Sequence, residues 1–146
     1  MIVPPNILDL INLYHQTYRH PALSAPEVSN IYALFPGDLA SHPPANCWPA
    51  DWLQGNRPGV YLIFNAQMGL LYIGKATSLA LRLSNYFKYL DGRGTGCRVV
   101  HEYWTARPSF VVTVALAKAF EASSLEEYLI GTLNPPDNKV GVMEKA

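Results

Sequence analysis

Cysteine is scarce in this chain: Cys47 and Cys97 are the only two, and neither belongs to a CxxC pair. A disulfide framework is therefore not expected, and the thiols suit a reducing interior. His15, His20, His42 and His101 fall at no metal-ligand spacing, so a His/Cys metal centre is not expected either. No window is long and apolar enough to span a membrane. The N-terminus, MIVPPNILDLINLYHQ, has no basic n-region, and Pro4, Pro5, Asn6 and Asp9 interrupt its apolar run. It does not read as a signal peptide; no membrane partner and a cytoplasmic location are expected. Excess charge is missing as well. With 11 basic and 11 acidic residues the formal net charge is zero, which argues against a protein that coats nucleic acid by charge alone. Internal repeats and low-complexity tracts are absent.

What is present is a chain of 146 residues, 49% hydrophobic and 15% charged, the size and composition of one domain with a real core. Twelve prolines and ten glycines predict many loops. Nine tyrosines, against three tryptophans and five phenylalanines, weight the aromatic content toward rings with a polar tip. Charge is unevenly placed. Residues 1–58 carry two basic against four acidic side chains, and residues 59–146 nine against seven. Within 75–107, Lys75, Arg82, Lys88, Arg93, Arg98 and Arg107 face only Asp91 and Glu102, a basic stripe suited to brief engagement of a polyanion.

Apolar spacing predicts a helix from Asn6, as N-cap, to about Tyr18. Ser24-Ala25-Pro26-Glu27 has the form of a capping box and predicts a second helix to about Phe35. Residues 36–58 read as a long loop with one turn at 50–53. On this reading 1–57 is a helical extension without strands, packed on a core domain at 58–146. In that core, Val60–Phe64 and Leu70–Ile73 read as a hairpin joined through Asn65–Gly69. A helix follows over 78–90, then a glycine-rich loop at 91–96. Residues 97–104 are ambiguous between helix and strand. Ser109–Leu116 reads as a strand, and Ala119–Leu133 as a helix stopped by Asn134-Pro135-Pro136. The fold class is α/β (α+β): a small, three-stranded, mainly antiparallel sheet flanked by helices.

Two helices carry polar anomalies. On the last one, Ala122, Leu125, Leu129, Ile130 and Leu133 form an apolar stripe; Glu121 falls at its edge and Glu126 inside it. A carboxylate directed at a core needs an arginine, hydrogen bonds or a cation. On the preceding helix Arg82 borders the stripe Leu79, Leu83, Tyr86, Phe87 and Leu90, beside Tyr86. If Tyr61 sits opposite Tyr72 in the hairpin, both hydroxyls leave one face, whereas a slip of one residue would separate them. Tyr61, Tyr72, Lys75, Arg82 and Glu126 then offer phenols, two cations and a carboxylate, without a serine or cysteine nucleophile. That set suits phosphodiester hydrolysis.

Gly59-Val60-Tyr61, Tyr72-Ile73-Gly74, Arg82, Glu126 and Asn138, in this order and spacing, resemble the GIY-YIG endonuclease family over roughly 59–138. LYIGKATSLALRLSNYF and EASSLEEYLIGTLNPPDN are most similar to the N-terminal nuclease domain of the bacterial nucleotide-excision-repair endonuclease. Val60 stands where isoleucine is usual. The resemblance implies that Glu126 binds a single Mg²⁺ or Mn²⁺ and that Arg82 stabilises charge on the scissile phosphate. It implies that Tyr61 and Tyr72 position the attacking water, one of them as base, and the residues do not choose between them. Lys75 assists, and Asn138 tethers the glutamate helix or contacts the site. DNA would lie against Lys75, Arg82, Lys88, Arg93 and Arg98.

The expectation is thus a metal-dependent endonuclease acting on nicked, branched or duplex DNA. The alternatives are a nucleic-acid-binding or adaptor module that keeps the fold without turnover, and an interaction unit. In the latter, 1–57 would hold a protein partner or a second copy of the chain.

Overall fold

The computed structural model describes residues 2–39, 46–47, 52, 54–89 and 96–138. Helix α1 spans Pro5–Tyr18 and begins one residue before the expected start. Pro4, not Asn6, takes the cap position without a side-chain hydrogen bond, and Pro5 fills the first turn, where a missing N–H costs nothing. Ile7, Ile11 and Tyr14 recur at helical spacing and are buried.

The helix expected from Ser24 to Phe35 is not formed. In its place stand two short strands, β1 (Glu27–Val28) and β2 (Tyr32–Ala33), then a 3-10 turn at Pro36–Leu39 and β3 (Asn46–Cys47), parallel to β2. The cause is tertiary. Ile31, Tyr32, Ala33 and Leu34 are consecutive and each at most 3% exposed, a run that fits a strand covered on both faces rather than a one-sided helix. Glu27, which would close the capping box, instead accepts Arg57 Nη1–H at 2.8 Å. Residues 1–57 therefore contribute strands, contrary to the sequence reading. Of the turn expected at 50–53, only Trp52 lies within the described residues.

Then follow β4 (Gly59–Phe64), β5 (Leu70–Ala76), α2 (Leu79–Tyr86), β6 (Phe87–Tyr89), β7 (Cys97–Val99), β8 (Phe110–Ala115) and α3 (Ala122–Leu133), the last preceded by a 3-10 turn at Ala119–Glu121. The main sheet has the order β3-β2-β8-β4-β5, with β1 also on β8. Its β8-β4-β5 centre is the expected antiparallel trio, enlarged beyond β8 by the N-terminal strands. Every residue of β4 and β8 is buried, because helices cover both faces. Val60, Leu62, Phe64, Val112 and Val114 pack with Ile7, Ile11, Leu125 and Leu129 of α1 and α3. Tyr61, Ile63 and Val111 pack with Leu79 and Leu83 of α2. Two-sided cover explains why both strands read as unbroken apolar runs.

Helix α2 stops at Tyr86, short of the expected residue 90. The Phe87 N–H still reaches Leu83 O, but the Phe87 backbone is extended and its ring fully buried, 6.2 Å from Trp52. β6 pairs antiparallel with β7, so the ambiguous 97–104 stretch is strand only through Val99. The glycine-rich loop at 91–95 lies outside the described residues. At the end of α3, Asn134 adopts the left-handed conformation (φ 56°) and donates its N–H to Ile130 O at 2.8 Å, the helix-ending role for which asparagine is suited. Neither Cys47 nor Cys97 forms a disulfide, and burial pushes the Cys97 thiol up to about 11. Among the described residues no helix is long and apolar enough to cross a membrane.

Candidate active site

The hairpin register brings the two motif tyrosines together differently from the expected direct pair. Tyr61 lies opposite Gly74, and Tyr72 opposite Ile63, with an irregularity after Ile63. This two-residue offset preserves the shared face on the α2 side, and the rings sit 6.2 Å apart. The motif glycines make room for neighbours. A Cβ on Gly74 would fall 2.3 Å from Tyr61 Cζ and Oη, and one on Gly59 would fall 2.0 Å from Val114 O. Tyr61 therefore lies flat across Gly74, sealed into the sheet.

Tyr61 is fully buried, and its hydroxyl donates to Tyr86 Oη at 3.2 Å. Tyr86 completes a cluster of three tyrosines, its ring 5.8 Å from Tyr61 and 6.2 Å from Tyr72. The sequence reading places Tyr86 in the apolar stripe of α2; its position four residues after Arg82 is the signal that it shares the arginine's side of the helix. Burial, and then the charge of Tyr86, hold the Tyr61 phenol above its ordinary range. Tyr72 is half-buried and likewise raised, first by burial, then by Tyr86 and by the negative charge of Glu126. Arg82 is exposed at its α2 position, and hydrogen bonding to the Tyr61 hydroxyl raises its pKa further.

The other components reach the same place from the opposite face of the sheet, around β5, which ends the strand order. Lys75 Nζ donates to Ser123 Oγ of α3 at 2.8 Å. Glu126, one turn further along α3, is partly exposed and close enough to Tyr72 for its charge to act there. Asn138 pairs with the outer edge of β5 as a strand residue would. Its Oδ1 accepts Ile73 N–H and its Nδ2 donates to Ile73 O, both at 2.8 Å. The core arginine considered for Glu126 exists but serves its neighbour: Arg19 donates from Nε (3.0 Å) and Nη2 (2.8 Å) to Glu121 Oε1. Tyr14 Oη donates to Ser124 Oγ at 2.8 Å, a second tie between α1 and α3.

A loop that the sequence left ambiguous closes one side. His101 and Tyr103 stack at 5.4 Å, and Tyr103 and Trp104 at 5.6 Å. His101 meets Tyr86 edge-on at 5.2 Å, and Trp104 meets Tyr72 edge-on at 5.9 Å. The loop is pinned at both ends. Val100 N–H donates to Tyr86 O at 2.9 Å, and Thr105 N–H to Asp137 Oδ1 at 3.2 Å. Asp137 is buried, which raises its carboxyl above the ordinary carboxylate range although the Thr105 bonds oppose the shift.

On the other flank a groove of about 400 Å³ lies between α2 and the start of α3, lined by Lys75, Thr77, Ser78, Arg82, Asn85 and Ser123 among others. Lys88 and Arg98 stand away from it, exposed and directly opposite each other on β6 and β7. Arg93 lies outside the described residues.

Paired motif tyrosines on a hairpin, an arginine on the next helix, and a glutamate and an asparagine brought to the hairpin's edge define the class. This chain belongs to the UvrC-like GIY-YIG domain family, which matches it over residues 57–139. UvrABC system protein C of Pseudomonas aeruginosa is 43% identical over 83 residues, or 57% of this chain and 13% of that protein. Proteins of the same name match at 44% over 82 residues in Ectopseudomonas mendocina (56% of this chain) and 41% over 83 in Brucella abortus (57%). In each of these the matched region is 13% of the relative's length.

Proposed function

We propose that this chain is an endonuclease that hydrolyses DNA phosphodiester bonds with one divalent cation held at Glu126. The observation that carries the reading is the meeting of Tyr72, Arg82, Lys75 and Glu126 around one strand edge. Membership of a family whose similar relatives are UvrABC system proteins supports it.

The donor chemistry fits a hard cation. Glu126 offers one carboxylate, and among the described residues no three His, Cys, Asp or Glu side chains gather as a soft-metal centre would need. Mg²⁺ and Mn²⁺ are commonly held this way, by one or two carboxylates with waters and substrate phosphate oxygens completing the shell. Such an ion supplies Lewis-acid stabilisation of the phosphate and acidifies bound water.

The chain's own groups supply the rest. Hydrolysis forms a P–O bond from water and breaks the ester P–O bond; the water loses a proton and the leaving oxygen gains one. Arg82, whose charge is favoured by the neighbouring Tyr61 hydroxyl, presents a permanent positive charge to the phosphoryl oxygens, with Lys75 beside it in the same groove. Of the motif tyrosines we assign Tyr72 to the water, because Tyr61 is fully buried and committed to Tyr86. With its pKa raised, Tyr72 is a neutral phenol near pH 7 and orients the water through hydrogen bonds. It can take the water's proton only after losing its own to solvent, as a phenolate, which requires positive charge to offset the field of Glu126. Asn138 positions the tyrosine by fixing the backbone of Ile73 next to it. Lys88 and Arg98, with Arg93, would extend the contact along the DNA backbone.

The test is incubation of the purified chain, and of Glu126→Gln, with supercoiled plasmid and with nicked and branched duplexes in Mg²⁺, Mn²⁺ or EDTA. Metal-dependent cleavage lost in the variant is the expected result. DNA binding by the folded chain without cleavage on any substrate would instead indicate a binding module.

A further inference from the structure

We infer that the stacked rings of His101, Tyr103 and Trp104 form a platform for an unpaired nucleobase beside the scissile phosphate, so that the substrate carries an unstacked nucleotide at the cut. The inference rests on the nuclease reading and narrows its substrate class.

Three observations carry it. The rings are close to parallel, with interplanar angles of 25° and 28°, whereas the adjoining contacts with Tyr86 and Tyr72 are edge-on at 74° and 90°. The row therefore starts at the tyrosine cluster, with Tyr103 stacked between the other two rings and the exposed His101 at one end, where a further ring can continue the stack. His101 is exposed and Tyr103 is 42% exposed, although large rings of this kind usually find cover. The backbone beneath them is held by Val100 to Tyr86 O and by Thr105 to Asp137, so the platform is built before any ligand arrives.

The occupant follows from chemistry. A base inside a duplex has both faces covered by its neighbours and has none to offer an outside ring; an unpaired base has one. Stacking also provides affinity that does not depend on net charge, which suits a chain whose 11 basic and 11 acidic residues cancel.

The experiment uses the full chain in the Glu126→Gln form with EDTA, so that binding is read without cleavage. The probe is a duplex with a single bulged 2-aminopurine, compared with its fully paired counterpart. Quenching of the bulged 2-aminopurine and roughly tenfold tighter binding of the bulged duplex are expected. His101→Ala and Tyr103→Ala should each lose most of that preference, and His101→Phe, which keeps a ring, should retain it. Circular dichroism melting checks that the variants fold; if Tyr103→Ala does not, the two His101 variants decide.

Equal affinity for paired and bulged duplexes, no binding to either, or a preference indifferent to His101→Ala, would each overturn the platform. The parent reading is scored separately by cleavage with the unsubstituted chain. Metal-dependent cutting without preference for the bulge removes the platform and leaves the nuclease. Quenching without cutting by the unsubstituted chain does the reverse.

Discussion

Arg19 and Glu121, 102 residues apart in the chain, form a buried ion pair in which both Nε and Nη2 of the arginine donate to one carboxylate oxygen. The side chains are 3% and 11% exposed. Removing one member leaves the other charged and desolvated, which typically costs about 3–5 kcal/mol. Arg19→Ala is therefore expected to lower the urea midpoint sharply. The double variant Arg19→Met with Glu121→Leu should be milder than either single change. A double variant as unstable as the sum of the singles would show that the pair is not coupled.

Asn138 offers a narrower test, because its carboxamide replaces a strand residue at Ile73. Asn138→Ala removes two hydrogen bonds and leaves the buried Ile73 amide and carbonyl unpaired, for an expected loss of about 2 kcal/mol. Asn138→Asp retains the acceptor but sets a negative charge against the Ile73 carbonyl, so it should not rescue. Equilibrium denaturation of the three proteins checks the order, and an aspartate variant as stable as the parent would contradict it.

Gly74 makes a steric prediction. With a methyl group 2.3 Å from Tyr61 Cζ and Oη, Gly74→Ala must displace the ring or the strand, at an expected cost of about 2 kcal/mol. In combination with Tyr61→Leu, whose shorter side chain does not reach that point, the alanine should add little further. Thermal melts of the four proteins would expose the coupling as non-additivity.

Asp137 should mark the pH profile of stability. Its folded-state pKa lies above the ordinary 3.8 because of burial, so the folded chain binds its proton more tightly than the unfolded chain does. Its contribution to stability therefore rises as the pH falls from neutrality through the raised value toward 3.8. Asp137→Asn should remove that component, and the difference between the variant's and the parent's urea midpoints should shrink toward acid pH. A difference independent of pH would mean that burial does not govern this carboxyl.

The hairpin and α3 were legible because their patterns are local: alternating or unbroken apolar runs around Asn65–Gly69, and a helical stripe ended by Asn134-Pro135. Where the chain obeys a distant partner, the sequence misled. Glu27 looked like a capping residue, yet it pairs with Arg57, and its strand lies against Ala115 and Val114. Two-residue strands have no periodicity to read. The tyrosine register depended on an irregularity after Ile63 that composition does not encode. Candidate site residues stood out in the sequence where a polar group broke a stripe, as Arg82 and Glu126 do. They were hidden where an aromatic residue fitted the stripe, as Tyr86 does, or where a loop supplied them, as at His101, Tyr103 and Trp104.

The facing of Lys88 and Arg98 across β6 and β7 has a thermodynamic side. Two like charges directly opposite weaken a strand pair, by a few tenths of a kcal/mol for exposed groups. An anion placed between them removes the repulsion that the pairing must otherwise overcome. By reciprocity, whatever such an anion contributes to pairing the strands, the paired strands contribute to holding the anion. Added salt then acts in two directions at once, screening the repulsion that opposes the ribbon while competing for the ligand that would relieve it.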